Sequence, residues 1–115
     1  MPVKIYHNPR CTKSRQTLQL LKDRGVEPEI IEYLKTPPSV EELTVILNKL
    51  GMQPRDLIRK QEAEYKSNGL DNKEVDNDCI LRVMVENPIL IERPIVVTDT
   101  KAVIGRPPEN VLDLL

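Results

Sequence analysis

The order in which two hydrophobic periods alternate along the chain constrains its fold more than any other feature. "VKIYH" (residues 3–7) alternates apolar and polar side chains, as a half-buried strand does. "NPR" breaks it, and residues 11 to 24 then place Ser14, Leu18 and Leu21 on one helical face before Gly25 stops the run. "EIIEYL" (29–34) reads as a second strand, and Ser39-Val40-Glu41-Glu42 is a capping box. The helix it opens carries Leu43, Ile46, Leu47 and Leu50 as far as Gly51. A helix between the first two strands suits a parallel crossover. Residues 54–61 and 76–86 predict further helices, the second with Ile80, Val83 and Met84 on one face and Pro88 beyond its end. Last, "PIVVT" and "KAVIG" flank Asp99-Thr100 as the arms of a hairpin would, and "PPENVLDLL" predicts a closing helix with proline at its start.

The resulting order is β-α-β, an all-helical insert, then β-β-α. That is the order of a thioredoxin-like α/β fold, a mixed sheet flanked by helices. At 115 residues the chain has room for one core, so it is expected to form a single domain over 1–115 with the helical insert at about 39–87. Arg93-Pro94 strengthens the expectation. A proline cannot donate to a sheet ladder, so its place at the mouth of a central strand calls for a special entry, which a cis peptide would supply.

Charge and cysteine usage exclude several functions. Charged residues make up 30% of the chain, the net charge is −1, and both signs are mixed along the whole length, which argues against nucleic acid or an anionic membrane as a partner. No apolar run approaches the roughly 20 residues of a membrane span, and the start lacks the apolar core of a signal peptide, so a cytoplasmic location is expected. Cys11 and Cys79 do not make a disulfide framework, and with a single histidine there is no zinc-ligand set; no metal and no bound cofactor are expected.

Cys11 carries the chemistry. A helix N-terminus and nearby cations can lower a thiol from about 8.5 into a range of roughly 3.5 to 7.5, and Cys11 stands at a helix start between Arg10 and Arg15. A junction so rich in polar residues is a poor place for an apolar filler. His7 closes the preceding strand, either as a thiolate partner or as a structural hydrogen-bonding residue. Familiar thiol schemes fail on spacing. A tyrosine-phosphatase loop needs arginine where this chain has Thr17, and a dithiol loop needs cysteine where it has Ser14. Cys79 lies on an apolar helix and reads as a packing residue.

A nucleophile with no resolving neighbour suggests an oxyanion substrate and an external thiol. Arg59 in "LIRKQ", Arg93 in "LIERPIVV" and Arg106 in "AVIGRPP" each sit in or beside apolar segments, where surface ion pairs are a less natural fate than a shared anion site. If Pro94 opens a strand beside the first one, Arg93 is carried to the Cys11 loop and Arg106 returns to it along the hairpin.

"HNPRCTKSR", "EYLKTPPS", "LIRK", "NPILIERPIVV" and "IGRPPENVL" resemble, nearly end to end, the glutaredoxin-dependent arsenate reductase family. The resemblance implies that Cys11 attacks arsenate, that Arg59, Arg93 and Arg106 hold the oxyanion and stabilise the thiolate, that His7 assists, and that Asn8, Ser14 and Pro94 shape the site. It further implies glutathione as co-substrate and glutaredoxin as the partner that takes it up. Thr12 departs from the pattern, since the better-established reductases often have glycine directly after the cysteine. A monothiol oxidoreductase handling glutathione mixed disulfides would use the same nucleophile. So would a redox-sensing or binding module without turnover. Transcription regulators of related fold usually carry a C-x-x-C pair, which Ser14 denies this chain.

Overall fold

The computed structural model describes residues 2–115. They fall into two compact units, one made of the residues up to 36 together with 93–115, the other of residues 37–92.

The first unit holds the sheet. It contains strand β1 (Lys4–His7), helix α1 (Thr12–Asp23), strand β2 (Glu29–Glu32), strand β3 (Ile95–Val97), strand β4 (Ala102–Ile104) and a closing 3-10 helix (Pro108–Leu114). The strand order is β2-β1-β3-β4. β1 runs parallel to β2 and antiparallel to β3, with Tyr6 opposite Ile95, and β3 runs antiparallel to β4, with Ile95 opposite Ile104. This four-stranded mixed sheet, packed against helices, is the thioredoxin-like arrangement that the order of elements predicts. The register also does the positional work: the start of β3 lies beside the end of β1, and the end of β4 lies beside the start of β3. Arg93, the Cys11 loop and Arg106 are therefore gathered at one end of the sheet.

Val3, Ile5, Leu21, Val96, Val111 and Leu114 form the buried cluster between sheet and helices. With no Phe or Trp in the chain, aliphatic side chains fill it. The closing segment is a 3-10 helix rather than the α-helix the sequence predicts. Three residues per turn set Pro108, Val111 and Leu114 on one line, and all three are buried. The Arg93-Pro94 bond is cis, as expected, and Arg106-Pro107 is cis as well.

The second unit is helical. α2 (Val40–Leu50) starts on the predicted capping box, in which Glu42 N–H donates to Ser39 Oγ at 3.1 Å and Ser39 N–H to Glu42 Oε1 at 3.2 Å. It ends at Gly51 with φ +68°, the left-handed conformation that favours glycine. The helix predicted over 54–61 is cut short. α3 spans only Pro54–Leu57, because Ile58 turns extended and bridges Ile91, Arg59 N–H donates to Leu90 O at 2.7 Å, and Glu92 N–H donates to Leu57 O. A short α4 (Ala63–Ser67) follows, its start carrying the acidic residues Glu62 and Glu64. α5 (Asn77–Glu86) starts on Asp76, whose side chain accepts from Cys79 N–H at 2.8 Å; it buries Ile80, Leu81 and Met84, so Leu81 takes the place predicted for Val83. The Arg55 guanidinium donates to the carbonyls of Leu70, Asn72 and Val75, fastening the loop between α4 and α5.

Candidate active site

The loop from β1 into α1 is built by backbone capping. Cys11 N–H donates to Asn8 O at 3.0 Å, Arg10 N–H donates to Asn8 Oδ1 at 3.0 Å, and Cys11 is the N-cap of α1 with extended backbone. Asn8 thus ties the loop at both its main chain and its side chain, the turn-forming use of this residue type. Cys11 is half-buried. Its sulfur, a weak acceptor, makes no capping hydrogen bond. Ionised, it draws on the Ser14 N–H of the first turn and on two guanidiniums.

Burial is the largest influence on Cys11 and pushes its thiol up. The Ser14 amide, the hydrogen bond and charge of Arg93, and the hydrogen bond of Arg106 together outweigh it, so the thiol lies below its ordinary value. Arg106 Nη1 stands 3.7 Å from Cys11 Sγ and donates to Arg93 O at 3.0 Å. The cations that hold the thiolate are therefore distant in sequence. Arg10 and Arg15, which flank Cys11 and were expected to activate it, are exposed, and Arg15 Nη2 donates to Thr12 Oγ1 at 3.3 Å instead.

His7 is buried, on the same face of β1 as Ile5 and hence toward α1. Its Nδ1 lies 2.6 Å from Ser14 Oγ, and Ser14 Oγ also accepts from Asn8 N–H at 3.0 Å. Of the two roles open to it, the geometry favours the structural one: the imidazole anchors the first turn of α1 to the end of β1. Burial, the largest influence, lowers the His7 pKa; Glu32 raises it, while Lys22 and Arg15 lower it. The net shift is downward, keeping the ring neutral at neutral pH.

The structure thus brings together Cys11, Ser14, Asn8, His7, Pro94, Arg93 and Arg106. Arg59 belongs to the helical unit, where Nη2 lies 3.7 Å from Glu62 Oε1 and its side chain is largely buried. Cys79, also in that unit, is half-buried on α5. Sequence reasoning passed over Thr17, Gly105 and Asn110, which fasten the Arg106 segment. A threonine on the apolar face of α1 and a glycine directly before the arginine were signals for the first two, and Asn110 had none. Among the described residues, no group of three or more His, Cys, Asp or Glu could hold a metal ion, and no helix is long and apolar enough to cross a membrane.

A half-buried thiol whose ionised form is favoured by a helix amide and two guanidiniums can, once deprotonated, attack an electrophilic centre whose oxygens the same guanidiniums neutralise. Residues 6–114 match the ArsC family. The chain belongs to the ArsC family. It is 50% identical over 110 residues to an arsenate reductase of Neisseria meningitidis serogroup A, covering 95% of this chain and 94% of that protein. To the uncharacterised protein YfgD of Escherichia coli K12 it is 52% identical, with 98% and 96% covered. An arsenate reductase structure from Vibrio cholerae superposes with a TM-score of 0.97 at 48% identity, covering 100% of this chain and 98% of that one. The ArsC match spans every residue named in the Cys11 site.

Proposed function

We propose that the chain reduces arsenate to arsenite through a covalent adduct on Cys11, with glutathione and glutaredoxin supplying the electrons. The observation that carries this reading is the convergence of Arg93 and Arg106 on a single thiol whose ionised form they favour. Guanidinium forks suit tetrahedral oxyanions, and a site that stabilises a thiolate when empty can pass the same donors to arsenate oxygens as the sulfur is consumed. Arg59 joins them in this proposal on the strength of the sequence resemblance. His7 and Ser14 hold the loop rather than touch the substrate.

The chemistry balances with two external thiols. Cys11 Sγ bonds to arsenic(V), and one arsenate oxygen leaves as water. A glutathione thiol then adds at arsenic with loss of a second oxygen. The glutaredoxin thiolate attacks the glutathionyl sulfur, forming a mixed disulfide, and the electron pair of the broken sulfur–arsenic bond reduces arsenic(V) to arsenic(III). Hydrolysis of the remaining bond releases arsenite and restores Cys11. No cysteine occupies position 14 to resolve the adduct from within, so an external thiol is required. A cytoplasm with a reducing glutathione pool is the setting that suits such a cycle.

The test is arsenite formation in single and multiple turnover, with and without glutathione and glutaredoxin. Wild type and Cys79→Ser should turn over only when both are present, and Cys11→Ser should be inactive. Turnover without glutathione, or a Cys79→Ser enzyme that stalls after forming the adduct, would show that resolution occurs inside the chain. Reduction of glutathione mixed disulfides with no arsenite formed would replace arsenate with a different substrate for the same nucleophile.

A further inference from the structure

The segment carrying Arg106 is tied at three consecutive carbonyls, all by side chains outside the site just described. The single Thr17 Oγ1 proton is shared between two carbonyls, Lys13 O at 2.8 Å and Gly105 O at 3.3 Å, so the tie to Gly105 is the longer arm of a three-centre bond. Asn110 Nδ2 donates to Ile104 O and to Arg106 O, each at 3.2 Å. On the amide side, Gly105 N–H donates to Pro94 O at 2.9 Å. The packing is equally close: a Cβ on Gly105 would lie 2.5 Å from Thr17 Oγ1 and 2.9 Å from Pro94 Cγ. Thr17 is fully buried, whereas Asn110 is exposed on the closing 3-10 helix.

These ties answer a physical need. β4 is an edge strand, so beyond Ile104 its backbone has sheet contacts on one side only. An exposed arginine leaving such an edge could spread over many rotamers and backbone positions, and aiming it at one sulfur requires that freedom to be removed beforehand. Arg106 is nevertheless aimed, with Nη1 3.0 Å from Arg93 O and 3.7 Å from Cys11 Sγ.

We infer that Thr17 and Asn110 are positioning residues for Arg106, holding the exit of β4 from the α1 side and from the 3-10 helix so that the guanidinium meets the Cys11 sulfur. The role concerns the thiolate and does not depend on which oxyanion the site takes.

The test is the pH midpoint of Cys11 alkylation by iodoacetamide, which needs no arsenate and so separates this inference from the proposed reaction. Thr17→Val and Asn110→Ala should each raise the midpoint in the direction of Arg106→Ala, by up to roughly half a pH unit, as expected for weakening one partly exposed charge contact. Thr17→Ser, which keeps the hydroxyl, should retain the wild-type midpoint. In an Arg106→Ala background, neither Thr17→Val nor Asn110→Ala should move it further. Two results would overturn the inference: wild-type midpoints in both single variants, or shifts that persist at full size once Arg106 is gone. Asn110 is exposed, so its variant keeps the test decisive even if Thr17→Val lowers the melting temperature.

Discussion

A thiol at a helix N-cap is nearly inert as an acceptor until it ionises, after which the helix amide and every nearby cation favour it. At Cys11 the deciding cations are Arg93 and Arg106, supplied by strand ends, with Arg10 and Arg15 facing solvent. Arg106→Ala should therefore raise the midpoint of Cys11 alkylation and slow labelling near neutral pH, while Arg106→Lys, a point charge without the fork, should restore the midpoint only in part. Arg15→Ala should leave the midpoint close to wild type. An equal effect of Arg15→Ala and Arg106→Ala would mean that general positive charge, rather than directed contact, holds the thiolate. The identity of Gly105 also matters at this scale. A methyl group there meets Thr17 and Pro94 on two sides, so Gly105→Ala should disturb the aim of Arg106 as well as stability.

At the scale of elements, periodicity located the strands and the long helices and misjudged the short helices. α2 carries its own start and stop in Ser39, Glu42 and Gly51, and it forms where those signals lie. Ser39→Ala should cost about 1 kcal/mol of unfolding free energy, measured by denaturant melting. α3, by contrast, has apolar residues that fit a longer helix, yet pairing of Ile58 with Ile91 draws the chain into extended form. The loop between α4 and α5 has little periodicity at all. A single guanidinium organises it through three carbonyls, two of them at 2.9 Å. Arg55→Ala should therefore destabilise by about 2 kcal/mol, in the range for hydrogen bonds to a charged group, and should speed proteolysis between residues 68 and 76. A loss smaller than that of Ser39→Ala would show that the loop is held by other contacts.

For the whole molecule, the buried imidazole of His7 links the site to stability. Its pKa lies below the ordinary value, chiefly through burial, so the unfolded chain takes up a proton at a higher pH than the folded one does. His7 therefore leaves stability untouched well above about pH 6.5 and costs stability as pH falls from there through the folded value. In melting experiments between pH 7 and pH 5, His7→Gln should flatten the acid loss relative to wild type, even if its stability at pH 7 is lower. An unchanged pH slope would mean that other groups carry the acid sensitivity.

Much of this protein was legible before folding. The alternation of strand and helix periods, the capping box, the proline before β3 and the lone thiol at a helix start are local signals, each readable within a few residues because its physics is local. They determined the α/β order and pointed to the candidate nucleophile. What only the tertiary structure decided is which cations face the sulfur, that His7 serves Ser14, and that Thr17 and Asn110 hold the strand carrying Arg106. Those are contacts between residues as far apart as 95 positions, set by the antiparallel register of β1, β3 and β4. A pattern of periods names the strands that can pair; their register, and so the side chains that meet at one end of the sheet, arises only when the strands compete for one shared core.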